Sequence, residues 1–395
     1  MFDWFIEILK GVGKFFLNPI TYWSIVIVLL TSIRRIKLER KDFGTRIFDP
    51  FAEWSHTWFI SMVTGAILSV LIVGTGFVVS LEMMVAISIA MLVSSLWTRF
   101  HLLSPAYTIF LAGLLLWGAS YVEVTFMPTS WTTNWEGYEL APVVILLGLL
   151  LLYEGMLMVR QPYDQSYPQY VKSSRGKLIG QHRIKKFSVL PLFFIVPGGA
   201  LTSFAPWWPL FNLGGNEYGL IALPMYIGFE QVFRGFAPEE GAKRLGKQVI
   251  GLSVITTVLG VVGLWLSPMY MMISLLVVFL LRVAIAYVLY KKDRGISPFF
   301  TPRSEGLPVL GIIPGSPAHK MGILIGERIE KVNGLSVYDE ESFYHALQAN
   351  RAFTKVDVRD SNGEIRFTQQ AMYEGDHHEL GLLFVKEKKR RDDVR

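Results

Sequence analysis

There is no cysteine in the chain, so no disulfide framework, thiol nucleophile or cysteine-ligated metal is open to it, and oxidative folding marks no compartment. Charge is scarce as well: Asp, Glu, Lys and Arg make up 18% of the residues, against roughly 25% in soluble domains. The seven histidines (His56, His101, His182, His319, His345, His377 and His378) form no ligand set, and His377-His378 lacks the His-x-x-x-His spacing of a zinc protease. Neither a Gly-x-Ser-x-Gly elbow nor a Walker loop occurs. From these absences we expect no catalytic residue, no metal site and no cofactor, and an enzyme is disfavoured.

What is present is apolar. Hydrophobic residues are 52% of the 395, and the mean hydropathy is +0.39. That excludes disorder, which needs low hydrophobicity and high net charge, and the length suggests two or three units. The formal charge of +6 and pI near 9.2 suit either a nucleic-acid partner or the basic loops of a membrane protein. Position decides between them. Residues 1–290 hold 21 Lys/Arg and 16 Asp/Glu, whereas residues 291–395 hold 17 and 16. A charge-poor region of 290 residues thus precedes a tail with the composition of a soluble domain.

A helix crossing about 30 Å of hydrocarbon needs roughly 20 apolar residues. Runs near 17–33, 58–80, 83–98, 103–122, 141–158, 189–211, 217–233, 249–266 and 269–290 predict a polytopic α-helical membrane domain of eight or nine spans. The run at 83–98 is short, and 189–211 is broken by Pro191, Pro197, Gly198, Gly199, Pro206 and Pro209. Basic residues sit in alternate loops. Arg34, Arg35, Lys37, Arg40, Lys41 and Arg46 fall in 34–57, and Arg160, Lys172, Arg175, Lys177, Arg183, Lys185 and Lys186 in 159–188. Four more lie in 234–248, and Lys291, Lys292 and Arg294 follow the last run. The loops at 81–82, 123–140, 212–216 and 267–268 have none. This asymmetry predicts that the basic loops and the C-terminal domain are cytoplasmic, and it explains the basic pI without nucleic acid.

Residues 1–16 pattern as an amphipathic interfacial helix, with Phe2, Phe5, Ile6, Leu9, Val12 and Phe16 on one face and Asp3, Glu7, Lys10 and Lys14 on the other. Nine spans would put it outside the cell and eight inside. Glu154, Glu230 and Arg282 are ionisable residues inside the runs. Glu154 and Glu230, the latter with Arg234 at i+4, read as anchors near helix ends, and Arg282 can snorkel to the interface. Glu239-Glu240-x-x-x-Arg244 matches a prenyl-protease signature, but no histidine follows before His319, so a solvated charge run is the simpler reading.

After a linker at 291–305 the pattern changes to short strands and turns over 306–388, with a charged tail at 389–395. Strands are predicted at Leu307–Pro314, Glu327–Val332, Thr354–Arg359, Ile365–Ala371 and Leu380–Val385, with a helix at Glu341–Ala349. The run Val309-Leu310-Gly311-Ile312-Ile313-Pro314-Gly315-Ser316-Pro317-Ala318, followed by Met321-Gly322-Ile323 and then Val332-Asn333-Gly334, resembles a bacterial PDZ domain. The resemblance implies a small α/β domain that binds a peptide by strand addition, with backbone amides capturing a terminal carboxylate. It places the peptide site at Gly306, Leu307, Pro308, Val309, Leu310, Gly311, Ile312 and Ile313, with His345 and Leu347 as pocket residues. Pro308 removes one amide donor, which leaves an internal strand or a protein surface open as the ligand.

In length and layout the whole chain resembles the MinJ family of cell-division topological determinants of Gram-positive rods. That resemblance implies a non-enzymatic membrane adaptor linking the polar protein DivIVA to MinD, which would hold the MinC–MinD inhibitor at poles and septa. The implied partners are DivIVA, MinD, other division proteins and the lipid bilayer, with no nucleic acid. The alternatives are a PDZ-bearing intramembrane protease or its regulatory subunit, and a transporter built on the broken run.

Overall fold

The computed structural model describes residues 2–119, 140–173, 176–213, 217–301, 306–350, 353–360, 362–371 and 380–385. The acidic, aromatic loop read at 123–140 (all but its last residue), the end of the linker and the charged tail lie outside them. Among the described residues, seven of the nine apolar runs are helices, and the helix α1 (Phe2–Leu17) precedes them. The seven are α2 (Pro19–Phe43), α4 (Trp58–Thr75), α5 (Leu81–Ser95), α6 (Pro105–Ala119), α7 (Leu140–Val159), α8 (Pro238–Val262) and α9 (Pro268–Gly295), with α3 (Ala52–Ser55) a single turn. Five of them, α2, α4, α7, α8 and the last, α9, are long and apolar enough to cross a membrane, while α5 and α6 are shorter.

The runs at 189–211 and 217–233 are not helices. They form a hairpin of β2 (Leu178–Leu201) and β3 (Tyr218–Phe233), to which β1 (Tyr167–Lys172) adds at the base. The register from His182↔Phe233 to Val196↔Gly219 covers fourteen steps, or about 45 Å at 3.3 Å per residue. That is the thickness of a bilayer with its headgroups. Prolines explain why a strand won over a helix. Pro191 and Pro224 face each other across the hairpin, and each would break a helix interior. In the strand pair the backbone of odd-numbered β2 residues points away from β3, so neither proline costs the ladder a donor.

An open sheet edge cannot face lipid, because its amides and carbonyls would go unpaired. Here neighbouring segments bond to outward groups on both edges. On the β2 side, Thr57 Oγ1 donates to Phe187 O at 2.7 Å and Ser69 Oγ to Pro191 O at 3.3 Å. Ser69 Oγ also accepts from Phe193 N at 3.0 Å, and Val79 N donates to Ile195 O at 2.8 Å. On the β3 side, Tyr226 N donates to Met91 Sδ and Leu220 N to Glu7 Oε2 at 3.4 Å. Gly65 of α4 permits the close approach: a Cβ there would lie 2.8 Å from Pro191 Cδ.

The α1 helix is not divided simply into an apolar and a charged face. Glu7 and Gly11 are buried against the hairpin tip, and Trp4 packs on Trp208 at 5.7 Å. Phe2, Phe5, Leu9, Val12 and Phe16 are exposed on a second face. Glu7 is therefore a partner of Leu220 and Lys10 and not part of the solvated stripe.

Several buried charges meet a partner of opposite sign. Arg282 meets Glu154 at 2.8 Å, both at most 3% exposed, and Ser104 Oγ donates to the other Glu154 oxygen at 2.6 Å. Arg282 thus does not snorkel. Glu230 is in a strand, so Arg234 is not its neighbour; it pairs with Arg183 at 2.8 Å and accepts from Phe100 N at 3.0 Å. At the base of α2, Arg35 lies between Glu39 and Glu53 at 2.7 Å each.

The C-terminal domain follows its predicted order: β4 (Leu307–Ile312), α10 (Pro317–Lys320), β5 (Arg328–Val332), β6 (Leu335–Ser336), α11 (Glu340–Gln348), β7 (Phe353–Arg359), β8 (Ile365–Ala371) and β9 (Leu382–Phe384). The sheet runs β8-β7-β5-β4-β9, with β6 paired to β5. Its core includes Leu307, Val309, Ile329, Phe343, Leu382 and Phe384. Asp339 caps α11 through a reciprocal box with Ser342.

Candidate functional site

The predicted peptide strand is not at an edge. Leu307 and Pro308 pair with Ile329 and Arg328 of β5, and Val309, Gly311 and Ile312 pair with Phe384, Leu383 and Leu382 of β9. All of Leu307–Ile312 is buried, and Ile313 N donates to Gly381 O. Both sides of β4 are taken, so Gly306, Leu307, Pro308, Val309, Leu310, Gly311, Ile312 and Ile313 cannot receive another strand. Leu347 is also misplaced by the sequence, because it sits in the domain core, whereas His345 is on the exposed side of α11.

The edge belongs to β9. It is one of the two terminal strands of the sheet, β8 being the other, and of the two it alone, among the described residues, is in ring contact with α11, the Phe384 and Phe343 rings being 4.8 Å apart. It is preceded by Leu380-Gly381, both at positive φ (+54° and +77°), which turn the chain sharply into the strand. Gly381 is held to glycine by this conformation and by Ser316, which would collide with a Cβ. The apolar-Gly-apolar run Leu380-Gly381-Leu382 was the available signal; it is short, and the stronger Pro-Gly-Ser-Pro-Ala run drew attention to the wrong strand.

The domain is seated on the hairpin base. Leu383 packs with Ile47, Phe48 and Tyr167, Gly180 N donates to Phe300 O at 3.0 Å, and Tyr170 Oη donates to Phe384 O at 2.6 Å. His182, fully buried, lies 2.7 Å from Leu310 O through Nε2 and 2.8 Å from Ser166 Oγ through Nδ1. A carbonyl only accepts, so Nε2 carries the proton and Nδ1 accepts from the serine. Burial pushes the His182 pKa down to about 4, against a smaller opposite effect of Leu310 O. The neutral ring is the one that fits. An undocked, solvated His182 takes up a proton near pH 6.5, so docking is strongest above that pH and weakens as pH falls toward 4. Between those limits the loss is about 1.4 kcal/mol per pH unit. Thermal unfolding at pH 7.5 and 5.5 should show this loss in the wild type, and His182→Gln, which offers a donor and an acceptor but does not titrate, should remove it; equal pH dependence in the two proteins would refute it.

Glu239 and Glu240 pair one turn along with Lys243 and Arg244, and Arg244 and Glu240 are about half exposed. The protease-like run is therefore a set of i,i+4 surface pairs.

A helical membrane region carrying a peptide-recognition domain at its C-terminus is the class these elements define. Residues 309–359 match the family model described as PDZ domain. Over 389 residues the chain is 36% identical to the cell division topological determinant MinJ of Bacillus subtilis (strain 168), covering 98% of this chain and 96% of that one. It is 22% identical to probable MinJ proteins of Lacticaseibacillus paracasei and Lacticaseibacillus casei (strain BD-II), over 94% of this chain and 97% of theirs. No solved structure matches. The chain belongs to the MinJ family of cell division topological determinants.

Proposed function

We propose that this protein is a non-enzymatic membrane adaptor in division-site selection, linking a DivIVA-like polar protein to MinD so that the MinC–MinD inhibitor is held at poles and septa. The full-length identity to a division determinant carries this reading. The β9 edge supplies a surface for a partner strand, and the other contacts of such an adaptor are individually weak and act together. A fluorescent fusion should concentrate at septa and poles, and deletion should give filaments or minicells. Uniform membrane fluorescence with normal cell lengths would overturn the reading.

The topology that supports it has nine crossings, seven by helices (α2, α4, α5, α6, α7, α8 and α9) and two by the hairpin strands. The PDZ domain and basic loops are then cytoplasmic, and α1 lies in the outer interface with Phe5 and Leu9 toward lipid. Because the chain has no cysteine, single-cysteine variants report side directly. Lys14→Cys should react with a membrane-impermeant maleimide on intact protoplasts, and Lys37→Cys only after permeabilisation. The reverse pattern would place the PDZ domain outside.

A further inference from the structure

The register of β9 decides where its free groups point. Gly381 O accepts from Ile313 N, and Leu383 is opposite Gly311, so these two residues turn their backbone toward β4. Val309, opposite Phe384, gives its own N–H and C=O to Glu327 and Gly326 of the other neighbour. By alternation, Leu382 and Phe384 direct their backbone outward, where an added strand would pair. One of these groups is already occupied, because the Phe384 carbonyl accepts from Tyr170 Oη at 2.6 Å.

Tyr170 comes from β1, and its place is set by the membrane region. Its N–H donates to Asp42 Oδ2 at 3.2 Å, and its ring is 4.8 Å from Phe43. Burial, followed by the charges of Glu340 and Asp42, raises the Tyr170 pKa, so the hydroxyl stays a donor. The hydroxyl therefore stands on the outward edge of β9, at the carbonyl an added strand would meet.

We infer that the PDZ edge is capped in cis: the membrane region's Tyr170 hydroxyl holds the Phe384 carbonyl that a ligand strand must take, so ligand pairing and full docking of the domain compete. This rests on the reading of β9 as the strand-binding edge. The contact makes occupancy of the groove felt at β1 and α2, because a bound strand displaces Tyr170 from its acceptor. The remaining docking contacts, Leu383 with Ile47 and Phe48 and His182 with Leu310, lie away from the outward edge and oppose ligand only through seating of the domain.

The test uses the full chain in phosphatidylglycerol-containing nanodiscs, as wild type, Tyr170→Phe and His182→Ala. A library of ten-residue peptides with free carboxyl ends is selected separately on each, and the best binder is titrated against all three. Tyr170→Phe keeps the ring packing and loses only the hydroxyl, so it should bind roughly tenfold more tightly, the scale of one displaced hydrogen bond. His182→Ala, which loosens the seat without touching the edge, should shift affinity in the same direction. Equal affinity of wild type and Tyr170→Phe would overturn the cap while leaving the edge as a binding site. Absence of a binder to any of the three would overturn the strand-binding reading and the cap with it.

Discussion

Arg282→Leu is expected to cost about 3–5 kcal/mol, the penalty for stranding a buried charge without its partner. Glu154 is 0% exposed, and the guanidinium at 2.8 Å is its one ionic partner among the described residues. Ser104 supplies a single hydrogen bond to the second oxygen, which does not replace a full positive charge. The pair ties α9 to α7, with Ser104 at the start of α6, so three helices lose a common anchor. The double variant Glu154→Met/Arg282→Met should recover most of the loss, since an apolar pair of similar volume carries no desolvation cost. Thermal unfolding of the purified protein in detergent checks both; a single variant as stable as wild type would show the pair to be dispensable.

Gly155→Leu is expected to cost about 1–3 kcal/mol by forcing α7 and α8 apart. These helices meet through small residues at seven-residue intervals, Gly148 and Gly155 on one and Gly246, Ser253 and Gly260 on the other. A Cβ on Gly155 would lie 2.7 Å from Ile250 Cγ1 and 3.0 Å from Gly246 O, and one on Gly246 would lie 2.7 Å from Gly155 O. Backbone atoms cannot swing aside as a side-chain end can, so the helix axes must move. Small residues at such crossings let backbones approach where lipid offers no hydrophobic drive to association. Gly251 on α8 has open space around it, and Gly251→Leu should leave the unfolding temperature unchanged. Equal effects of the two substitutions would refute close packing as the cause.

How much of this was legible varies by element. The C-terminal domain was read strand by strand because its turns carry local chemistry, such as Asn333 and Gly334 at positive φ and the Asp339 cap. The helices α2, α4, α7 and α9 were legible from apolar length. The hairpin was not, because a run of apolar residues buried on every side has no period to separate strand from helix. Its prolines imply a broken helix in sequence, and in the fold they mark a strand pair. Pairing of Glu230 was misread for the same reason: four residues along a strand is not a neighbour.

The position of β9 at the sheet edge is illegible on different grounds. Which strand lies outermost depends on how β4, β5 and β9 assemble, and β9 comes from the far end of the domain. Motif strength marks residues that make the fold, and here those residues sit in the middle of the sheet.

By itself the sequence determined composition-borne properties: a membrane region followed by a PDZ domain, the alternation of basic loops, and a chain with no thiol chemistry. These follow from local hydrophobicity, charge and turn residues, which act without reference to distant parts of the chain. The tertiary structure alone decided that two of the apolar runs pair as strands, that Arg282 answers Glu154, and that Tyr170 stands on the Phe384 carbonyl. Each of these joins residues tens to hundreds of positions apart, and only packing determines which unpaired group meets which partner.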